Sequence, residues 1–136
     1  MLRRVLHGDA SKVKQVRQAL QDLAEEGLAQ VFKPVTGGHW IVGVVGVLQL
    51  DVLKSRVAAE YKSEIELEPV PYQTARWVAS KDGKEALETF KAENLTSLAE
   101  DRDGRLVFFA RNAWDLDNVV KRYPLIAFRD TCELAA

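Results

Sequence analysis

Residues 39–61 have the sequence HWIVGVVGVLQLDVLKSRVAAEY, in which a strand pattern passes directly into a helical one. The first part, from Trp40 to Val45, is apolar on both faces, which is typical of a central strand in a sheet. The second part places apolar side chains on one helix face, at Leu50, Leu53, Val57 and Tyr61. The stretch therefore predicts a buried strand over residues 39–46, followed by an amphipathic helix.

The amino-terminal side of this stretch predicts a strand and then a helix. Residues 2–7 favour the strand, and either Asp9 or Ser11 is a suitable N-cap for the helix. The apolar face of that helix lies at Val13, Val16, Leu20 and Leu23. We therefore expect one face of the helix to be buried against the sheet.

The end of this first helix is predicted at Gly27, a residue suited to the C′ position. Glu25 and Glu26 oppose the helix dipole there, so we expect a slightly frayed end. Residues 28–34 then predict a strand, and residues 34–38 predict the turn that leads to the strand at residue 39.

On the carboxyl-terminal side, Ile65 and Leu67 alternate with glutamates, and Pro69 and Pro71 end the run. This alternation predicts a strand with one buried and one solvated face. The element order up to this point is β-α-β-β-α-β, the ferredoxin-like pattern of an α+β fold with both helices on one face of an antiparallel sheet. We assign residues 1–71 to this subdomain.

The second half of the chain repeats the same order of elements. Strands are predicted over residues 72–79, 95–100, 105–110 and 125–128, with helices over residues 82–92 and around Leu116, Val119, Val120 and Tyr123. The Asp103-Gly104 pair between the middle two strands is a hairpin signal. We expect residues 72–131 to form a second, smaller βαββαβ-like unit packed against the first, followed by a tail at 132–136.

Composition indicates a globular chain with no strong charge. The 136 residues are 47% apolar and 29% charged, and the net charge is −1. Residues 1–40 contain six Lys/Arg and four Asp/Glu, whereas residues 41–136 contain thirteen and sixteen. The net charges of these two parts are therefore +2 and −3, and this small difference permits a local nucleic-acid surface without requiring one. A single cysteine, Cys132, fits a reducing cytosol, and no apolar run is long enough to span a membrane.

Motifs for catalysis, nucleotides or metals are missing from the sequence. No G-x-x-x-x-G-K-[ST] string occurs, and Gly43 and Gly46 are better explained by close strand packing or a strand-to-helix turn than by a dinucleotide site. His7 and His39 lack ligand spacing, so metal binding is not expected. We expect no catalytic residues, no metal and no cofactor in this chain.

Two further carboxylates, Asp115 and Asp117, could in principle do acid–base work. They lie where the last helix is predicted to begin, and carboxylates suit the positive end of the helix dipole. We therefore interpret them as capping residues.

Cationic and aromatic residues supply the candidate contact residues. The basic residues of the first helix and strands could contact RNA phosphates, or they could form an ordinary solvated face. This set contains Arg3, Arg4, Lys12, Lys14, Arg17 and Lys33. The three tryptophans, Trp40, Trp77 and Trp114, could stack on bases, although packing in a core is the commoner role.

Five ordered segments carry a family resemblance. They are EEGLAQVFKP (25–34), GGHWIVGVVGVLQLDVLKSRVAAEY (37–61), LEPVPYQTARWV (67–78), LAEDRDGRLVFFA (98–110) and KRYPLIAFRDT (121–131). In this order they resemble the carboxy-terminal domain of bacterial peptide chain release factor 3, a translational GTPase family. A weaker similarity to domain III of elongation factor G covers residues 1–70 only.

The resemblance implies a non-catalytic domain of a larger GTPase. Family members carry a G domain and a β-barrel domain, so GTP and Mg²⁺ are expected only in the missing G domain, and Met1 is expected to begin an excised piece. The family implies a cytoplasmic protein that docks on the small ribosomal subunit, at rRNA and a ribosomal protein, and that recycles class I release factors. Its own G and barrel domains would be further partners, and no membrane is implied.

With that resemblance, we predict ribosome or RNA contacts at Arg3, Arg4, Lys12, Lys14, Arg17 and Arg76. The chain has Asp115-Leu116-Asp117-Asn118 where family members often carry an Asn-Leu-Asn-Leu type stretch, and the added negative charge argues against a phosphate contact there. Two alternatives stay open. One is an intramolecular interaction domain of another translational GTPase, such as an elongation factor G relative, and the other is a free-standing small enzyme or ligand-binding domain.

Overall fold

The structure of the protein is a computed structural model that describes residues 1–130, and the chain divides into two compact units. The first unit contains residues Met1–Lys33 and Gly38–Val70, and the second contains Pro34–Gly37 and, of the described residues, 71–130. Cys132 and the predicted tail at 132–136 lie outside the described residues.

The first unit has the predicted β-α-β-β-α-β order. Its strands are β1 (Leu2–His7), β2 (Gln30–Pro34), β3 (Ile41–Gly43) and β4 (Ile65–Pro69), and its helices are α1 (Val13–Glu25) and α2 (Val47–Tyr61). The strands pair antiparallel in the order β4-β1-β3-β2. The α+β fold with a ferredoxin-like arrangement is therefore confirmed, and β3 is a central strand as its two apolar faces indicated.

The core of this unit is built by the predicted helix faces. Val16, Leu20 and Leu23 of α1 and Leu53 and Val57 of α2 are all at most 1% exposed. They share one hydrophobic cluster with strand residues, namely Val5, Val31, Val42 and Ile65. Because both helices pack on the same strand residues, burial of these side chains is the main force that holds the unit together.

Polar contacts join the ends of α1 and α2. The Tyr61 hydroxyl donates to Asp22 Oδ2 at 2.7 Å, and this hydrogen bond lowers the pKa of Asp22 and raises the pKa of Tyr61. Arg56 Nη1 donates to Glu26 Oε1 at 2.6 Å. Glu26 opposes the dipole of α1, and Arg56 supplies the cation that offsets this effect.

The strand predicted over residues 39–46 is shorter than expected. It ends at Gly43, because the following residues form the entrance to α2. The Gln49 side chain accepts from the Val45 and Gly46 N–H groups at 2.7 and 3.2 Å. Gly46 is the N-cap of α2, and a Cβ on Gly43 would lie 3.2 Å from the Phe32 ring, so both glycines have the structural roles predicted for them.

The second unit has the same order of elements. Its strands are β5 (Thr74–Ser80), β6 (Leu98–Glu100), β7 (Leu106–Ala110) and β8 (Ile126–Arg129), and its helices are α3 (Gly83–Glu93) and α4 (Ala113–Arg122). The strands pair antiparallel in the order β6-β7-β5-β8, which is again the ferredoxin-like order. The predicted strand at 95–100 begins only at Leu98, since Leu95–Ser97 form a 3-10 turn.

Aromatic rings dominate the core of the second unit. Phe90 of α3 is fully buried, and its ring centroid lies 5.7 Å from that of Phe108, 4.9 Å from that of Tyr123 and 5.6 Å from that of Phe128. These edge-to-face arrangements are the favourable ones for aromatic pairs. Phe90 therefore links α3 to α4 and to the sheet.

The predicted hairpin between β6 and β7 is organised by Asp101. Its Oδ1 accepts from the backbone N–H groups of Asp103 and Arg105 at 2.9 and 2.8 Å, and its Oδ2 accepts from Trp77 Nε1 at 3.0 Å. Gly104 adopts a φ of 82°, a conformation that glycine adopts without strain. The turn is thus fixed to β5 through a buried side-chain hydrogen bond.

The capping prediction for α4 needs a correction. The N-cap is Asn112, whose side chain accepts from the Asp115 N–H at 2.7 Å. Asp115 lies in the first turn, where its charge suits the dipole, and Asp117 pairs with Lys121 at 2.9 Å. Asn112 is not evident as the cap from the sequence, because the apolar pattern of the helix begins only after it.

Candidate nucleic-acid interface

The predicted contact residues divide between the two units. Arg76 lies on β5 of the second unit, where its Nη1 donates to the Ala75 carbonyl at 2.9 Å. The other five lie in the first unit, on β1, on α1 and on the short 3-10 helix Ala10–Lys12 between them. Each unit therefore has to be considered as a separate candidate surface.

The two arginines of β1 are partly occupied by contacts within the protein. As neighbours in a strand, Arg3 and Arg4 point to opposite faces of the sheet. Arg4 Nη1 pairs with Glu68 Oε1 of β4 at 2.6 Å, and Arg3 Nη1 donates to the Leu2 carbonyl at 2.8 Å. The charge of Arg4 is thus largely balanced, and Arg3 is the freer of the two for a phosphate.

Lys12 lines a groove of about 290 Å³ in the first unit. Asp9, Lys62 and Glu64 also line it, so the groove is lined by both cations and carboxylates. Hydrogen bonds from Ser11 lower the pKa of Asp9, and the charge of Lys12 adds to this effect. The mixed charge makes the groove a poor site for a polyanion.

Arg17 lies beside Trp40, which is outside the set of contacts predicted from the sequence. Its guanidinium carbon is 5.2 Å from the ring centroid of Trp40, and Lys33 Nζ is 5.1 Å from the same ring. Both distances are within the range of a cation–π interaction. We call Arg17, Lys33 and Trp40 the Trp40 cluster.

The fold explains how these three residues meet. Phe32 of β2 pairs with Ile41 of β3, so Lys33 and Trp40 face each other one position further along the hairpin. Val31 lies two positions before Lys33, Val42 lies two positions after Trp40, and both valines are buried in the core under the helices. Because side chains alternate between the two faces of a sheet, Lys33 and Trp40 lie on the same helix-facing side as these valines. Arg17 reaches this side from the exposed flank of α1. The pairing depends on tertiary structure, and no local sequence signal indicates it.

The other tryptophans differ from Trp40. Trp77 is 6% exposed and its indole N–H donates a hydrogen bond to Asp101, so it has a packing role. Trp114 is 75% exposed on α4, and the cation–π pairs of residues 1–130 do not include it. Trp40, by contrast, is partly exposed and lies beside two cations.

The rings of the two histidines lie close together. The ring centroids of His7 and His39 are 5.3 Å apart, and His7 Nδ1 is buried without a hydrogen-bond partner. Within residues 1–130, no group of three or more His, Cys, Asp or Glu side chains is placed to hold a metal ion. His39 is exposed at the strand end, as predicted.

None of the helices described in residues 1–130 has the length and apolar character needed to cross a membrane. The candidate contact surface of the first unit consists of cationic and aromatic side chains. Such side chains bind anions by charge and planar rings by stacking.

The chain is similar to a known protein family. Residues 1–120 match the family described as "Class II release factor RF3, C-terminal domain". The match covers four of the five segments that carry the resemblance, and the fifth, 121–131, lies beyond it. Because the match extends over more than half of the 136 residues, the chain belongs to the class II release factor RF3 C-terminal domain family, whose members act in translation termination.

Proposed function

We propose that this chain is the non-catalytic ribosome-docking domain of a translation-termination GTPase. It binds the small ribosomal subunit in the cytoplasm and helps to position the GTPase domain while class I release factors are recycled. The observation that carries the proposal is the family match over residues 1–120, since termination factors act at the ribosome. The sequence has no P-loop string, so GTP and Mg²⁺ are assigned to the G domain of the parent protein.

The docking contacts proposed for the first unit are electrostatic. Lys14 is exposed on α1, and no carboxylate within the described residues pairs with Arg3 or Lys14. Each phosphate contact releases counterions on binding, so affinity should fall steeply as salt is raised. Arg4 contributes less, because Glu68 already balances its charge.

We predict that Arg3→Ala together with Lys14→Ala weakens binding of the full-length protein to small subunits and flattens its salt dependence. The slope of log K against log salt should change by roughly 0.7–0.9 for each lost phosphate contact. Cosedimentation between 50 and 200 mM salt measures both quantities. Lys84→Ala together with Lys91→Ala on α3 removes the same charge elsewhere and is the matched control. An unchanged affinity and slope would remove Arg3 and Lys14 from the contact surface.

A second observation supports the positioning role. Apolar side chains are exposed together at the start of α2, with Val45 94%, Val47 61%, Leu48 79% and Val52 43% exposed. Clustered exposed apolar residues usually mark a protein interface. We assign this start of α2 to contacts with the G or β-barrel domain of the parent protein.

A cysteine placed in this patch tests the assignment. In a Cys132→Ser background, we expect Leu48→Cys to react with a thiol reagent on the order of tenfold more slowly in the full-length protein than in this chain, because a buried thiol is inaccessible. Glu88→Cys, on the exposed side of α3, is the control and should react equally in both. Equal rates for Leu48→Cys in the two proteins would exclude an intramolecular contact at this patch.

A further inference from the structure

The Trp40 cluster combines a planar ring with two cations that no carboxylate of residues 1–130 balances. We propose that it binds single-stranded RNA, with an unpaired base stacked on Trp40 and the adjacent phosphates held by Arg17 and Lys33. This inference rests on the proposed docking to the ribosome, and it names the ligand and the residues at one point of that surface. Of the three residues, only Arg17 belongs to the contact set predicted from the sequence.

The indole of Trp40 is held on a rigid support. The Val5 N–H of β1 donates to the Trp40 carbonyl at 2.8 Å, so the backbone of Trp40 is fixed between β1 and β2. Part of the side chain packs against the core of the first unit, and the remainder is exposed to solvent. A ring that is fixed before binding loses little conformational freedom when a base stacks on it.

The two cations of the cluster differ from those cations of the first unit that pair with carboxylates. Arg4 pairs with Glu68, and Arg56 pairs with Glu26 and Glu60. By contrast, no carboxylate within residues 1–130 lies within 4.0 Å of the side-chain nitrogens of Arg17 or Lys33, and each cation lies over the indole ring instead. Two like charges on one ring repel each other, and an anion placed between them would relieve that repulsion.

The combination favours RNA over an acidic peptide. RNA supplies a flat base and a negative phosphate in every nucleotide, and tryptophan and arginine are the side chains that recognise these two groups. A charge-assisted bond from a guanidinium to a phosphate is stronger than an exposed cation–π contact. A phosphate can therefore draw a cation from the ring face, which leaves that face free for the base. An acidic peptide would engage the cations but has no equivalent group for the ring.

Lys14 extends the cationic surface. It precedes Arg17 by three positions on α1, so the two residues lie on the same side of the helix, and both are exposed. A backbone that leaves the Trp40 cluster along α1 would meet Lys14 next. Single-stranded nucleic acids are commonly held in this way, by a stacked base and a row of cations along the backbone.

The test measures binding of a fluorescein-labelled, ten-nucleotide single-stranded RNA to this chain by fluorescence anisotropy. We expect Trp40→Leu to weaken binding about 5- to 150-fold, the effect of removing one stacking partner. Arg17→Gln and Lys33→Gln should each lower the salt slope by about 0.7. Trp114→Leu and Lys84→Gln remove a tryptophan and a lysine elsewhere and should leave binding unchanged.

Two controls separate stacking from folding and from charge. Arg17 is exposed, so Arg17→Gln keeps the test valid if Trp40→Leu lowers the melting temperature. Sodium polyphosphate has phosphates but no bases, so Trp40→Leu should leave its affinity unchanged while Arg17→Gln weakens it. An equal loss of polyphosphate and RNA affinity in folded Trp40→Leu would overturn the stacking proposal.

Cosedimentation with small subunits, run in parallel, separates the two proposals. If the wild-type chain cosediments but RNA binding is absent or is unchanged in all three variants, the Trp40 cluster is not an RNA site, and docking depends on other residues. If RNA binding depends on the cluster but neither this chain nor the full-length protein cosediments, the docking proposal fails and the RNA site stands.

Discussion

Replacing Phe90 by alanine is expected to lower the free energy of unfolding by about 3–5 kcal/mol. Phe90 has no exposed surface, and its ring meets those of Phe108, Tyr123 and Phe128 edge-to-face. Alanine would remove the apolar surface, leave a cavity and abolish three aromatic pairs at once. The surrounding rings cannot collapse into the space easily, because Phe108 and Phe128 are held by strands and Tyr123 by the end of α4.

Urea unfolding of the wild type and of Phe90→Ala measures this loss. Thr89→Ala, at the exposed neighbouring position of α3, is the matched control and should change stability by no more than about 0.5 kcal/mol. Hydrogen exchange should locate the effect, with the largest rise in exchange among the amides of β7, β8 and α3. A loss below about 1 kcal/mol for Phe90→Ala would mean that the aromatic core tolerates a void, against the packing described above.

The helices were predictable because their signals are local. In α1 the spacing of Val16, Leu20 and Leu23 identified the buried face directly, and in α2 Leu53 and Val57 did the same. Glycine positions were equally informative, since a left-handed C′ residue such as Gly27, at a φ of 85°, reflects a backbone requirement. Local periodicity and turn chemistry were thus sufficient for the β-α-β-β-α-β order in both halves of the chain.

Element boundaries were harder to predict, because apolar residues have several uses. Val44 and Val45 continue the apolar run of β3, and this run predicted a strand to residue 46. In the structure Val44 is buried, whereas Val45 is 94% exposed at the entrance to α2. Composition cannot distinguish a buried valine from one that lies on an interaction surface, since the distinction depends on what the tertiary fold covers.

The candidate site was predicted least well, since it depends on contacts between distant segments. Lys33 and Trp40 meet across a hairpin, and Arg17 reaches them from α1. Conversely, no pattern in the sequence separates Arg4 from Arg3, although Glu68 balances the charge of Arg4 only. Which cations are available to a ligand is a property of the folded charge distribution, so charge counts along the chain could only delimit the region.

The two sides of α2 have different roles, one in stability and one in function. One side of this helix holds the core of the first unit together through Leu53 and Val57, and the other side exposes Leu48 and Val52. A helix that is apolar on both sides is expected where a domain must be stable alone and also bind a neighbour. Substitutions on the two sides should therefore separate folding from docking.

Replacing Leu53 by alanine tests the inner side of α2, and we expect it to lower the free energy of unfolding by about 2–5 kcal/mol. Leu53 has no exposed surface and belongs to the cluster that contains Val16, Val57 and Ile65. The lost transfer free energy and the residual cavity both contribute, and the rigid sheet beneath the helix limits relaxation. The magnitude therefore reports how tightly the two helices pack on the strands.

Urea unfolding again measures the loss, and the same helix provides the control. Leu48→Ala makes the identical chemical change at a side chain that is 79% exposed, so it should alter the stability of this chain by no more than about 0.5 kcal/mol. A loss below about 0.5 kcal/mol for Leu53→Ala, or a larger loss for Leu48→Ala, would show that the helix buries the other face. The expected pattern would show that the inner side of α2 carries the fold and leaves the outer side free for docking.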